Sequence, residues 1–267
     1  MSTSNPSFEG THKYLSLSRV ELKELRIRSF RAVNDPLSAK AYAKGHLDVL
    51  NNFGLNLSSA NEDWQTRDGV FAVLIESCDG QTIYGGARIE LFTGLDHLPI
   101  ETAISEEAPE ISRFLKSRKG RRIGEICGLW NSLQVAGLGI GSTYSIRCAI
   151  ALAGLIGVEE LVALCSPYTY RIANEYGFTL LTQVGIQGAI PYAGANEIAH
   201  ITFQGDVRNL SGAKISEKMI IESLRKEPRQ IRNEEGRKGP IEVHYFLSNH
   251  ECDHTSDGAA KRQDLAQ

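Results

Sequence analysis

The chain has 267 residues, 42% of which are hydrophobic, and a formal net charge of −3. This length allows one large domain or two small ones, and the hydrophobic content is that of a globular protein. The charge gives no reason to expect nucleic acid as a partner, and no apolar run reaches the roughly 18 residues of a membrane-spanning helix. The five cysteines are scattered and mostly lie in apolar runs. They are typical of reduced core residues, so we expect a cytoplasmic protein.

We expect one domain over residues 14–247, preceded by a flexible N-terminus (1–13) and followed by a disordered tail (248–267). The domain is predicted to begin with a short strand and two helices, over residues 14–18, 21–33 and 38–53. No linker or internal repeat divides it. The tail contains His250, Cys252 and His254. Soft ligands in a flexible tail are weak grounds for a zinc site, so no metal site is predicted.

The clearest hairpin consists of strands over 70–77 and 82–92, joined by the turn Asp79-Gly80. Gly85-Gly86 inside the second strand predicts a bulge or a close approach of backbone or ligand. Arg88, just beyond, either binds a phosphate or carboxylate or simply faces outward.

Residues 93–122 are predicted to be an insertion with a helical piece at 110–115. The insertion ends in the basic run Arg118-Lys119-Gly120-Arg121-Arg122. This run suits a ribose phosphate or the acidic surface of an acyl carrier protein, or else it is a solvated turn.

A strand, a glycine loop and a helix come next. The apolar run 123–130 predicts a buried strand, and the small and apolar residues of 142–155 predict a buried helix. The loop between them contains Gly137, Gly139 and Gly141. This order directs free backbone N–H groups, at the positive end of the helix dipole, toward an anion such as a pyrophosphate. The alternative is a turn that only packs the helix tightly against the strand.

The spacing of the glycines distinguishes between phosphate loops. Gly141-Ser142-Thr143 lacks the lysine of a Walker loop, and the third glycine comes one position early for a dinucleotide fingerprint. The loop instead resembles the acyl-CoA loop of the GNAT superfamily of N-acyltransferases, Arg/Gln-x-x-Gly-x-Gly/Ala. Residues 134–139 satisfy this pattern, whereas a register ending at Gly141 places Ala136 where Arg or Gln is expected.

The resemblance extends beyond the loop. A strand over 160–165 and a helix over 167–176 ending in Gly177-Phe178 follow in the superfamily's order. Glu125 and the apolar residues after it are similar to the branch that contains acyl-homoserine lactone synthases and long-chain N-acyl amino acid synthases. That branch usually has Ser-Arg after the Glu, where this chain has Cys127-Gly128.

The resemblance implies an α/β (α+β) fold with a mixed, mostly antiparallel central sheet flanked by helices on both faces. It implies transfer of an acyl group from acetyl-CoA, a longer acyl-CoA or an acyl carrier protein to the amine of a small molecule. The segment from Tyr42 to Trp64 would line the acceptor site. Two alternatives stay open: a non-catalytic acyl-CoA-binding or regulatory domain on the same fold, and a Rossmann-type nucleotide-binding protein.

Glu125 is the expected general base, because its apolar neighbours would raise its pKa toward neutrality. The alternative is a structural carboxylate paired with Arg88 or with an arginine of 118–122. Tyr170 is the candidate that protonates the leaving thiolate, although the superfamily position holds Ala173; water could serve instead. The expected donor-binding residues are Leu129, Trp130, Asn131, Ser132, Gln134, Ala136, Gly137, Leu138, Gly139, Ile140, Gly141, Ser142 and Thr143.

The C-terminal part is predicted to contain two strands, over 179–184 and 197–203, joined by a glycine-containing loop. A helix should run from Ser216, its N-cap, to Lys226. The final strand, over 241–247, should join the sheet edge or an oligomer interface, which leaves a homodimer open.

Overall fold

The computed structural model describes residues 22–52, 63–138, 140–191 and 198–248. The predictions for residues 1–13, for the strand at 14–18, for Gly139 and for the tail beyond Ser248 lie outside these ranges.

Ten strands form one sheet among the described residues. They are β1 (Glu24–Arg31), β2 (Val70–Glu76), β3 (Ile83–Leu91), β4 (Ile123–Asn131), β5 (Glu160–Cys165), β6 (Thr179–Leu180), β7 (Ala189–Pro191), β8 (Ile198–Gln204), β9 (Arg229–Gly236) and β10 (Gly239–Phe246). The order is β6-β8-β5-β4-β3-β2-β1-β10-β9, with β7 also paired to β8. Only the β4–β5 and β1–β10 pairs are parallel.

The described α-helices are α1 (Pro36–Asn52), α2 (Pro99–Ala103), α3 (Glu110–Ser117), α4 (Gly141–Leu155), α5 (Pro167–Glu175) and α6 (Ile215–Lys226). Helices α4, α5 and α6 pack against one face of the sheet, which we call the α4 face, through one large apolar cluster. Helices α1, α2 and α3 cover the other, the α1 face, where the apolar residues form two separate clusters. The mixed, mostly antiparallel sheet with helices on both faces confirms the predicted fold class.

The central elements lie where the sequence predicts them. The 70–92 hairpin, β4, α4, β5 and α5 agree with their predicted bounds to within one or two residues at most ends. Of the two readings of Gly85-Gly86, the close approach of backbone is confirmed, whereas the register shifts lie on either side of the pair, at Tyr84 between β2 and β3 and at Ala87 between β3 and β4. A Cβ on Gly86 would lie 2.4 Å from the carbonyl oxygen of Val73, so only glycine fits between the strands.

The helix predicted over 21–33 is wrong. Residues 24–31 form β1, followed by a 3-10 turn at Ala32–Asn34. Leu25 and Ile27 are fully buried, whereas the arginines between and after them are partly exposed. The apolar residues of this stretch fit both a helical spacing and the alternation of a strand. Hydrogen-bonded pairing with β2 on one side and β10 on the other stabilises the strand.

One C-terminal strand was missed, and three C-terminal predictions need correction. Strand β9 was not expected, because its charged residues resemble a solvated segment. β10 is not an edge strand: it lies between β1 and β9. Helix α6 has Lys214 at its N-cap, so Ser216 lies inside the helix. The strand predicted over 179–184 contains only 179–180, because the chain turns at residues 182–185.

No helix in the described ranges is both long and apolar enough to cross a membrane. The cytoplasmic location and the homodimer stay predictions.

Candidate active site

Strands β4 and β5 separate to form a gap. They pair only at Ile123–Glu125, opposite Glu160–Val162, and diverge beyond that point. The cause is a bulge in β4, where Gly128 and Leu129 face the single residue Ala87 of β3. Gly128 has a φ of +57°, and its carbonyl accepts a hydrogen bond from the Tyr42 hydroxyl. The β4 backbone from 126 to 131 therefore has no partner in β5.

Glu125 lies where the gap begins. Its side chain is on the α1 face, is 2% exposed, and accepts a hydrogen bond of 2.9 Å from the backbone N–H of Ile100 in α2. It forms no salt bridge with any described residue. Burial holds the pKa of this carboxyl well above its usual range; Glu90 adds to the rise, while the Ile100 N–H and Arg88 oppose it.

Glu90, the β3 residue opposite Glu125 in the ladder, carries the local salt bridges. Its carboxylate binds Arg88 at 2.7 Å and also Arg67. The Cys127 thiol donates to the same carboxylate at 3.7 Å. Burial raises the pKa of this thiol well above its usual range, so it stays protonated and is a poor nucleophile.

Arg88 does not face outward. It is 1% exposed, and its guanidinium carbon lies 4.5 Å from the ring centroid of Trp64. The sequence left this orientation open and did not identify Glu90 or Arg67. The Arg88–Glu90 pair could have been predicted from Arg88-Ile89-Glu90 in an otherwise apolar strand, because residues two apart on a strand lie on one face and these two have opposite charges.

Aromatic side chains form the wall beside this ionic cluster. The Tyr42 ring makes edge contacts with Trp64 and Trp130, at centroid distances of 5.5 and 6.0 Å. His46, one turn along α1, is buried, and burial, together with Arg88, lowers its pKa to about 4. The two ends of the 42–64 segment thus contact β4 and Arg88, Tyr42 through the Gly128 carbonyl and Trp64 through the Arg88 guanidinium. Residues 53–62 fall outside the described ranges.

The glycine loop leads into helix α4, which its own N-cap residue does not cap. Gly137 has a φ of +79°, and α4 begins at Gly141 with no side-chain hydrogen bond to its N-terminus from the N-cap residue Ile140. A Cβ on Gly141 would lie 2.2 Å from the Asn131 side chain, so glycine lets β4 approach α4. The Asn131 side-chain oxygen accepts from the backbone N–H and from the hydroxyl of Ser142, both at 3.2 Å. The half-buried first turn of α4 presents its remaining backbone N–H groups beside the gap.

The predicted donor-binding residues divide by environment. Leu138 and Ile140 are buried in the core of the α4 face, against which Leu129 also packs, while the Trp130 ring lies on the α1 face. The exposed members are Gln134, Ala136 and Gly137. Ser132 donates its backbone N–H to Tyr84 at 2.8 Å, so this N–H does not face the gap.

Several buried polar atoms near the end of β4 and the start of α4 have no hydrogen-bond partner among the described residues. They are Trp130 Nε1, Ser132 Oγ, Tyr144 Oη and Ser145 Oγ. These atoms do not mark one site, because the Trp130 ring lies on the α1 face whereas the Tyr144 ring lies against Arg147 on the α4 face.

Tyr170 lies on α5, on the opposite face of the sheet from Glu125. Its ring centroid is 5.1 Å from that of His200, and it packs beside the large apolar cluster. Ala173 is buried in that cluster. A substrate that contacts both Tyr170 and Glu125 must therefore lie in the gap between β4 and β5.

The basic run before β4 is partly neutralised. Arg118 binds both carboxylate oxygens of Glu160, at 2.9 and 2.7 Å, and Arg121 also contacts Glu160 at 3.2 Å. These arginines do not pair with Glu125. Two of the four basic side chains thus serve local structure.

No family model and no curated protein matches this sequence. Among solved structures, FeeM, an N-acyl amino acid synthase from uncultured soil microbes, is similar with a TM-score of 0.54 at 13% identity, over 73% of this chain and 98% of that one. This chain has the GNAT fold. MesI, a CoA-dependent acyl-homoserine lactone synthase, is also similar (TM-score 0.49, 16% identity, 74% of this chain and 95% of that one), and so is TofI, solved in a ternary complex with an inhibitor and MTA (0.48, 14%, 73% and 96%). With the GNAT fold, the Rossmann alternative is excluded, since β2, β3 and β4 form an antiparallel meander.

Proposed function

We propose that this chain is an N-acyltransferase that moves an acyl group from acyl-CoA, or from an acyl carrier protein, to the amine of a small molecule. The observation that carries the proposal is Glu125, a buried carboxyl at the start of the gap that is held by one backbone N–H and by no salt bridge with a described residue. A buried carboxylate with a purely structural role is normally paired. An unpaired one with a raised pKa is suited to proton transfer.

The donor would bind along the loop and the gap. Backbone N–H groups of the loop and of the first turn of α4 would hold its pyrophosphate, because the helix dipole is positive there. N–H groups alternate in direction along a strand. Since that of Ser132 points to β3, that of Asn131 points toward the gap, where it would bind the pantetheine or the thioester.

The acceptor would enter from the α1 face. Glu125 would take a proton from its ammonium group, directly or through one water, so that a free amine attacks the thioester carbonyl carbon. The raised pKa favours this step, because a general base works best when its pKa is near the ambient pH. The thiolate would leave toward the α4 face, where Tyr170 or water would protonate it.

Paired substitutions at Gly137 test donor binding. No described atom lies within 4 Å of a Cβ at this position, and its positive φ is better tolerated by Asn and Asp than by most residues. Gly137→Asp adds a carboxylate beside the proposed pyrophosphate, whereas Gly137→Asn has nearly the same shape without the charge. We expect micromolar binding of acetyl-CoA or a long-chain acyl-CoA to the unmodified chain and to Gly137→Asn, and at least roughly tenfold weaker binding to Gly137→Asp.

Calorimetric titration with both esters, and with NAD as a control, measures this difference. Equal binding to both variants, or binding of NAD alone, would rule out the loop assignment. A transfer assay with a panel of amines then separates the two functions. Ester binding without transfer to any amine would favour the non-catalytic acyl-CoA-binding domain.

A further inference from the structure

A second group of chemically active side chains lies on neighbouring strands β2, β1 and β10. Glu24 begins β1 and pairs with Glu242 of β10. On its other side, Arg26 pairs with Glu76, so the same antiparallel register brings Cys78, just past β2, opposite Glu24. β3 lies between these strands and β4 with its gap.

The pleat of the sheet brings three ligand atoms together. Residues two apart on a strand share a face, so His244 joins Glu242 beside Glu24. One atom from each of Glu24, Cys78 and His244 lies within 4.8 Å of the other two. Ligands of tetrahedral zinc are roughly 3.3–3.8 Å apart, since each is roughly 2.0–2.3 Å from the metal. Small side-chain rotations therefore suffice to enclose an ion.

A fourth side chain supports the group. Glu242 Oε1 lies 2.8 Å from Nε2 of His244. Such a carboxylate either completes the coordination or orients the imidazole, as in many zinc sites. Glu24 is exposed and the other two ligands are half-buried, which leaves a path from solvent.

The electrostatic surroundings favour a cation. Burial raises the pKa of the Cys78 thiol; Glu24, Glu242 and Asp79 raise it further, while Arg26 opposes them. Arg26 is itself bound to Glu76 at 2.8 Å. A divalent ion would turn the repulsion among these negative groups into attraction and would release the thiol proton.

We propose that Glu24, Cys78 and His244 bind a zinc-class divalent ion, with Glu242 as the fourth ligand or the group that orients His244. Thiolate, imidazole and carboxylate together are a ligand set that zinc prefers. The ion would join the end of β2, the start of β1 and the interior of β10. This site would be structural and separate from acyl transfer.

The test uses the full chain, in which His250, Cys252 and His254 of the tail are replaced by Asn, Ser and Asn so that they cannot bind the ion. Zinc chloride is titrated against a chromophoric chelator, and cobalt chloride is followed by the thiolate-to-cobalt absorption band. We expect one bound ion per chain, a cobalt–thiolate band and a higher melting temperature with zinc. Cys78→Ser should abolish the band, and Glu242→Gln should weaken binding roughly 10–100-fold.

If circular dichroism shows that Cys78→Ser does not fold, zinc affinity is measured instead on Glu24→Gln and His244→Asn. Both should weaken zinc binding more than Glu242→Gln does. Three results would overturn the proposal: a band that persists in folded Cys78→Ser, binding that disappears with the tail substitutions alone, or unchanged zinc affinity in Glu24→Gln and His244→Asn.

Discussion

Two buried ionic clusters lie on opposite faces of the sheet, and they differ in how their charges are matched. On the α4 face, Arg147 of α4 binds both oxygens of Glu217 at 2.8 and 3.1 Å and also binds Glu234 at 3.0 Å. The other oxygen of Glu234 accepts from the Tyr245 hydroxyl at 2.9 Å. On the α1 face, Glu90 holds two arginines, whereas Glu125 beside it has only the N–H of Ile100.

The difference separates a structural role from a chemical one. The Arg147 cluster joins α4 to α6 and β9, so it keeps in place the helix whose N-terminus faces the gap. Its carboxylates are fully engaged and cannot readily exchange protons. Glu125 is buried away from water and forms no ion pair with a described residue. Burial therefore raises the pKa of its carboxyl. Buried ion pairs by themselves therefore do not mark the candidate active site; the unmatched carboxyl does.

The largest effect should come from Glu125→Gln. We expect transfer to fall by roughly 10²–10⁴-fold, the usual contribution of a general base, with acyl-CoA binding retained. The fold should persist and be somewhat more stable at neutral pH. A carboxyl whose folded pKa is raised loses stability as the pH rises through that pKa, and glutamine removes the loss.

Steady-state kinetics and urea unfolding measure the two effects, and Glu217→Gln is the matched control. It should lower stability while folded protein still transfers acyl groups. If Glu125→Gln unfolds the chain or leaves the transfer rate unchanged, Glu125 is structural. The α1-face cluster then does not differ in role from the Arg147 cluster.

Arg147→Met should have the next largest effect. It leaves Glu217 and Glu234 buried without their common cation, which should cost about 3–5 kcal/mol of unfolding free energy. Chemical denaturation measures it. Arg118→Met is the control, because Glu160 keeps Arg121 and the Arg118 side chain is 36% exposed. Equal losses in the two variants would show that the Arg147 cluster is not specially stabilising.

His46→Asn should have the smallest effect, and it is specific to the α1 face. The pKa of His46 is about 4 in the folded chain, against about 6.5 when unfolded. Because the unfolded chain takes up the proton first, stability is lost as the pH falls from 6.5 toward 4. The loss at about pH 5 should be about 2 kcal/mol relative to pH 7, and His46→Asn should remove it.

Urea unfolding at these two pH values measures this loss. His97→Asn, at a side chain that is 72% exposed, is the comparison variant: it should not remove the acid loss that His46→Asn removes. If His46→Asn shows the same acid loss as the unmodified chain, another group titrates there.

The hairpin, the strand–loop–helix unit and β5 were predictable because their signals are local. Asp79-Gly80 marks a turn, and the small, apolar run after Gly141 marks a buried helix. Glu125 was identifiable as a candidate because a carboxylate in an apolar strand is expensive to bury.

β1, β9 and the partners of Arg88 were not predictable from local pattern. Leu22, Leu25 and Val33 fit a helix, whereas Leu25 and Ile27 fit a strand, and only the neighbouring strands decide between them. β9 exposes most of its residues, so little apolar periodicity marks it.

Local sequence is enough to specify the central elements, the glycine loop and a buried carboxylate near it, because turn chemistry and the period of burial are properties of neighbouring residues. Which strands pair, where β4 separates from β5, and the binding of Arg67 and Arg88 to Glu90 rather than to Glu125 are set by tertiary contacts. Those outcomes depend on contacts between residues far apart in the chain. Such contacts determine that Glu90 is paired with arginines and that the Glu125 carboxyl has no ion pair with a described residue.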